Sequence, residues 1–186
     1  YVWSVYTECM HGMPSERPVR VAVPVNLRPY FNSITTKNFF VMVSAEFHPT
    51  KEIYTFEEVL KSVSESLRSQ ISRENLEKLF SYNVSNEKLL AARIVPLFLK
   101  NLAMRYVYTT SALANTATVT NIGNISVSEE YRPYVEMFHA FLAMSKGQHL
   151  KGTICSYGDT LVFSFSYDLT DTSVQRGFFR KIAADG

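Results

Sequence analysis

The chain has 186 residues, 46% hydrophobic and 19% charged, with a formal net charge of +2 at pH 7, which suits one domain with a sizeable core and is too short for two. Its 19 Lys and Arg nearly balance 17 Asp and Glu, and no basic run exceeds two residues, so a nucleic-acid stripe is excluded. Cys9 and Cys155 are far apart and lack metal-ligand spacing, which argues against a zinc site or a disulfide framework and reads as two buried thiols in a reducing compartment.

No stretch approaches the roughly 20 apolar residues of a membrane span, and the N-terminus lacks a charged-then-apolar signal pattern. The expected location is therefore the cytoplasm, without a membrane span. The chain starts at Tyr1-Val2-Trp3-Ser4-Val5-Tyr6, which reads as the tail of a helix already under way, so it is expected to be a piece of something longer.

Val19, Val21, Val23 and Val25 alternate with Arg20, Ala22, Pro24 and Asn26, a period of two that predicts a half-buried strand. Pro24 favours an edge position for it. After a turn-like stretch to Lys37, Asn38–Phe47 predicts a longer second strand. Thr55 followed by Glu58 makes a capping box. Phe56, Val59, Leu60, Val63, Leu67 and Ile71 then fall on one face of a helix. A short helix is expected around Glu74–Phe80. A longer one is expected from about Asn86 to Tyr106, kinked or split at Pro96, with its apolar members facing the sheet.

Strand signals return at Ala117–Asn121 and Ile125–Val127, joined by Gly123-Asn124. Val135–Met144 is a further candidate strand. Lys151–Ser156 and Thr160–Tyr167 predict a hairpin through Tyr157-Gly158-Asp159. A last helix, capped by Asp171 or Thr172, carries Val174, Phe178, Phe179 and Ile182 as its stripe. The fold class that follows is α/β, a two-layer α/β sandwich with a mixed, largely antiparallel sheet, the part after the helices reading as antiparallel. Residues 1–186 form a single domain without linker or repeat.

Three segments carry a resemblance in order and spacing: Val23-Pro24-Val25-Asn26-Leu27-Arg28, Thr36-x-Asn38-Phe39-Phe40 and Val119-Thr120-Asn121-Ile122-Gly123. Together they resemble the second half of alcohol acetyltransferase-like proteins. Those belong to the CoA-dependent acyltransferase superfamily, with the chloramphenicol acetyltransferase fold shared by peptide-synthetase condensation domains and wax-ester synthases. The resemblance covers essentially the whole chain and implies one lobe of that fold, the C-terminal one, with the partner being its own N-terminal lobe across a tunnel. It further implies acyl-CoA as donor substrate rather than a resident cofactor, and a small hydroxyl or amine acceptor.

That family carries His-His-x-x-x-Asp-Gly, normally in the first half, and Ser166-Tyr167-Asp168-Leu169-Thr170-Asp171-Thr172 looks like its degenerate counterpart. Tyr167 stands where the base would stand, Asp171 keeps the acidic position and Thr172 replaces the glycine. Acyl transfer from a thioester needs a base for the acceptor hydroxyl and fixed donors for the oxyanion. His11, His48, His139 and His149 all lack the frame and read as structural or surface histidines, so the chain alone has no general base.

The resemblance implies tunnel-wall roles for Asn26, Arg28, Asn38, Thr120, Asn121 and Gly123. Beside these roles stand ordinary ones. Asn26 caps a turn, Arg28 pairs with an acidic neighbour, and Thr-Asn-x-Gly is turn chemistry, the favoured account for Gly123. Tyr30-Phe31 and Tyr131-Arg132-Pro133-Tyr134 fit a rim or partner surface and equally fit loop anchors. Ser4, Ser44 and Ser164 lack a nucleophile elbow, and no dinucleotide or P-loop motif occurs. The alternative class is a non-catalytic interaction or dimerisation module, a homo-oligomer joined through exposed edges.

Overall fold

The computed structural model describes residues 1–51, 53–88 and 95–185, apart from the side chains of 83–88 and 111–113. Its centre is a mixed sheet of β1 (Val19–Asn26), β2 (Phe40–Phe47), β3 (Ala117–Asn124), β4 (Leu150–Tyr157) and β5 (Thr160–Tyr167), in the order β2-β1-β3-β4-β5. β1–β2 and β4–β5 are antiparallel, whereas β1–β3 and β3–β4 are parallel. The α/β class and the mixed sheet are as expected. The parallel β3–β4 pair corrects the antiparallel reading of the chain after the helices, because the long 125–149 crossing brings β4 back in the direction of β3.

The period of two in β1 sorts its residues onto two faces. Val19, Val21 and Val23 stand opposite Phe47, Ala45 and Val43 of β2. Val19, Val21, Ala45 and Phe47 share a core with Val2, Val5 and Tyr6 of α1 (Val2–Glu8), Val59 of α2 (Phe56–Gln70) and Val174 of α5 (Ser173–Asp185). A second cluster joins Leu27, Val41 and Val43 to Leu76 of α3 (Arg73–Lys88). Tyr6, Phe47 and Tyr54 meet edge to face, with Tyr6–Phe47 and Phe47–Tyr54 ring centroids 5.3 and 4.9 Å apart.

The predicted capping box is present. Thr55 Oγ1 accepts from the Glu58 N–H at 3.3 Å, and Glu58 Oε2 accepts from the Thr55 N–H at 2.8 Å. Such a cap contributes about 1 kcal/mol, against about 3–5 kcal/mol for a buried phenylalanine such as Phe47. Packing, more than capping, therefore seats α2. Leu60 departs from the expected stripe of α2 and is exposed, and Phe179 and Ile182 depart from that of α5 in the same way.

Several expectations change. β1 lies inside the sheet and not at its edge. β2 starts at Phe40, leaving Asn38 and Phe39 in the preceding loop. α3 runs to Lys88, beyond the short helix expected, and α4 (Leu97–Ala114) begins directly after Pro96; residues 89–94 of the expected long helix lie outside the described residues. The apolar members of α4 do not face the sheet, since Leu97, Phe98, Leu102, Met104 and Tyr106 are all exposed. Its apolar residues encircle the helix, so no single stripe exists to lay on the core.

Val135–Met144 is not a strand. A 3-10 helix, Glu129–Tyr134, precedes it, and the segment then crosses the sheet face that the helices leave free. There no strand edge offers backbone pairing, and its β-prone residues meet side chains instead. Ile125–Val127 is not a strand either. Gly123 and Asn124 remain within β3, where the register steps from Asn121↔Ile154 to Gly123↔Cys155 in a bulge. Gly123 adopts φ +84° and donates its N–H to Asn121 Oδ1 at 2.9 Å, a backbone that glycine adopts without a Cβ penalty.

The β4–β5 hairpin forms as predicted, with Tyr157↔Thr160 closing a turn at Gly158, φ +57°. A Cβ on Gly152 would lie 2.9 Å from Phe163 Cζ and 3.3 Å from Val119 Cγ2. The Phe163 ring is itself held 4.3 Å from the Phe178 centroid and 4.8 Å from that of Phe165. Gly152→Ala is expected to destabilise the fold by about 1–3 kcal/mol, read as a lower denaturant midpoint at unchanged slope. Unaltered stability would contradict this packing.

Candidate functional site

The Thr116 N–H donates to the Arg20 carbonyl at 2.8 Å, and the Arg20 N–H donates to Thr116 Oγ1 at 3.1 Å. Arg20 thus turns its backbone groups toward β3, and strand alternation gives the same side to Ala22, Pro24 and Asn26. Pairing runs through Val21↔Ala117 and Ala22↔Thr118 and stops. The next donor in that sequence would be Pro24, which has no N–H. β3 stays with β4 as far as Asn124↔Ser156, so β1 and β3 diverge beyond Pro24. Pro24 therefore ends the pairing with β3 from within an interior strand, not from an edge strand.

The divergence opens a cleft of about 440 Å³. Asn26, Arg28, Asn38, Thr120 and Asn121 all line it, together with Pro24. Phe40 and Met42 of β2, both about half exposed, supply apolar wall, as does Leu142 from the crossing segment. Thr36, Lys37 and Thr118 complete the polar part. Gly123 does not line the cleft, and its role is the bulge described above.

Arg28 has a structural task as well. Its Nη2 donates to the carbonyls of Thr35 at 3.1 Å and Lys37 at 2.8 Å, and its Nη1 to Asn26 Oδ1 at 3.3 Å. Asn26 Oδ1 also accepts the Arg28 N–H at 3.1 Å, which is the turn cap expected of it. Among the described residues Arg28 forms no ion pair with a carboxylate, so the expected acidic neighbour gives way to backbone carbonyls. The guanidinium staples the 35–37 loop, and that loop carries the cleft's Thr36, Lys37 and Asn38.

Chemically, the cleft combines hydroxyls and carboxamides with two cations, Arg28 and Lys37, and among the described residues no acid lines it. Such walls favour a ligand with an anionic or carbonyl-rich part and an apolar part. Since Asn121 Oδ1 is engaged by Gly123, its amide nitrogen is the group left to donate into the cleft.

The degenerate motif lies elsewhere. Tyr167 ends β5 opposite Leu150, and Ser166 stands opposite Lys151. This is the N-terminal end of β4, whereas the cleft opens toward the C-terminal ends of β1 and β3. Asp171 Oδ1 accepts from the Ser173 N–H at 2.9 Å and Oδ2 from the Ser173 hydroxyl at 2.8 Å. The Ser173 hydroxyl foremost, and then its N–H, hold the Asp171 carboxyl below its ordinary pKa. Asp171 is a helix-start residue.

His149 Nδ1 lies 2.9 Å from Asp168 Oδ1, both exposed. The sequence reading missed this pair, though hairpin register would have found it: the Tyr157↔Thr160 pairing, extended outward, sets 149 against 168. His48 Nε2 is 3.4 Å from Glu46 Oε2. His139 stacks beside Phe141 outside any strand, and His11 sits in a turn. None of the four lines the cleft. Cys155 is buried as expected, but Cys9 is exposed at the end of α1. Phe31 stacks on Phe80, which makes it a loop anchor, while Tyr131 and Tyr134 are exposed.

Among the described residues no group of three His, Cys, Asp or Glu is arranged to hold a metal ion, and no helix is long and apolar enough to cross a membrane. No protein-family model, no curated protein and no solved structure matches the chain.

Replacing the planar fork of Arg28 by an ammonium keeps three donors but gathers them on one nitrogen, without the rigid fork that reaches Asn26 Oδ1 and the Thr35 and Lys37 carbonyls together. Arg28→Lys is expected to speed amide exchange over residues 35–38 by about fivefold or more while changing global stability by less than about 1 kcal/mol. Hydrogen exchange read by mass spectrometry checks this, and unchanged exchange at the loop would contradict the stapling role.

Proposed function

We propose that the chain is the C-terminal lobe of a CoA-dependent acyltransferase of the alcohol acetyltransferase-like kind. It contributes one wall of a site that moves an acyl group from acyl-CoA, or a related thioester, to a hydroxyl or amine. The observation that supports this is convergence. Three segments singled out by resemblance, spread from Asn26 to Asn121, meet in one cleft with five of their six chosen residues.

In this reading a histidine from the His-His-x-x-x-Asp-Gly of an N-terminal lobe removes the acceptor proton. The acceptor oxygen or nitrogen bonds to the thioester carbon, the C–S bond breaks, and CoA leaves as its thiol. The hydroxyl of Thr120 and the amides of Asn38 and Asn121 are the donors suited to the oxyanion. Arg28 and Lys37 favour the anionic donor. Acyl-CoA is substrate, so no resident cofactor is invoked, and the proposed compartment is the cytoplasm.

A second reading, a non-catalytic interaction or dimerisation module, draws on α4, whose large apolar residues between Leu97 and Tyr108 stand exposed. Thiol release from acyl-CoA separates the two. This chain and the longest natural protein that carries it would be assayed with a panel of alcohols and amines. Acceptor-dependent release by the longer protein and none by this chain is the expected result. Release by this chain alone would overturn the split-site account, and release by neither across the panel would favour the interaction module.

A further inference from the structure

The segment from Val135 to Ser145 lies over the open face of the sheet without a backbone ladder of its own; at its far end Ser145 makes a single bridge to Gln148. Two side chains of β4 hold it. Cys155 Sγ donates to the Phe138 carbonyl at 3.2 Å. Lys151 Nζ donates to the Ala143 carbonyl at 2.6 Å and to Ser145 Oγ at 3.0 Å.

Lys151 is unusual for its type, being only 7% exposed and forming no ion pair among the described residues. A lysine is seldom buried unless paired, and here its ammonium is spent on two neutral oxygens of one strap. Between the two anchors stands Leu142, the strap's contribution to the cleft wall. Leu142 shares that wall with Phe40 and Met42 of β2.

We propose that Leu142 is the size-determining wall of the cleft, limiting the length of the apolar acyl chain it accepts, and that Lys151 is the positioning residue that holds Leu142 there through the Ala143–Ser145 end of the strap. This rests on the acyltransferase reading and adds the specificity determinant to it. Lys151 touches no ligand in this account. It acts by fixing backbone.

The test compares decanoyl-CoA with acetyl-CoA as donor, taking the ratio of their kcat/KM values from thiol release in the longest natural protein that carries this chain. Leu142→Ala is expected to raise that ratio about tenfold or more, the scale on which apolar pockets discriminate by size. Lys151→Met, close in length and without donors, is expected to move the ratio in the same direction. It should also raise amide exchange across residues 139–145 about tenfold while β4 stays protected, a readout that Leu142→Ala leaves in place.

If Lys151→Met does not fold, as judged by its thermal transition, Leu142→Ala and exchange in Lys151→Arg carry the test. Ratios within twofold of the unsubstituted protein, in a protein that does release thiol, would overturn the inference and leave the acyltransferase reading standing. No release from either thioester by the unsubstituted protein would overturn both.

Discussion

The backbone of Pro24 offers β3 no hydrogen, and the architecture of the open face depends on that. Parallel pairing between β1 and β3 extends only through Ala22↔Thr118, because the next residue facing β3, Pro24, has a carbonyl but no donor. On the other side β1 is paired along its whole length with β2, from Val19↔Phe47 to Asn26↔Phe40. β3 is held as firmly by β4. Two well-anchored halves of one sheet are therefore free to separate at a single seam, and the cleft forms there without loss of the core behind it.

The two faces divide the work. Behind the sheet, α1, α2 and α5 close over valines and over the Tyr6, Phe47 and Tyr54 rings. Aromatic pairs of this geometry add about 0.5–1.5 kcal/mol each beyond area burial. In front, the face carries Thr118, Thr120, Lys151 and Thr153 in a band of hydroxyls and one amine, paired across β3 and β4. The irregular strap crosses it. Arg28 and Lys151 play parallel roles at opposite margins of this face, each using a cationic side chain to hold backbone carbonyls of a segment that lacks a ladder.

Much of this was legible in the chain because local periodicity and core packing agree. The alternation Val19 to Val25, the Thr55–Glu58 box and the Tyr157–Thr160 turn each specify an element whose buried side is also where tertiary contacts are available. Of the six residues chosen from the three motifs, five line the cleft and Gly123 does not. What failed has a common cause. Val135–Met144 has strand-forming residues but meets the sheet face-on, and α4 has apolar residues without a stripe; in both, composition alone does not specify a partner. Lys151 and Leu142 were missed because a lysine in a strand signals exposure unless the segment that covers it is known. Tyr167 and Asp171 kept a motif's spacing at the wrong end of the sheet for the cleft.

The central claim is that an acyl thioester binds where β1 and β3 part. Backbone amide spectra recorded while acetyl-CoA is titrated into the protein test it most directly. The account predicts saturable shifts concentrated at Asn26, Asn38 and Thr118–Asn121, with the helix-facing valines of β1 and β2 unmoved. Shifts clustered at His149, Tyr167 and Asp171 instead, or no saturable shifts at the cleft at any attainable concentration, would contradict it.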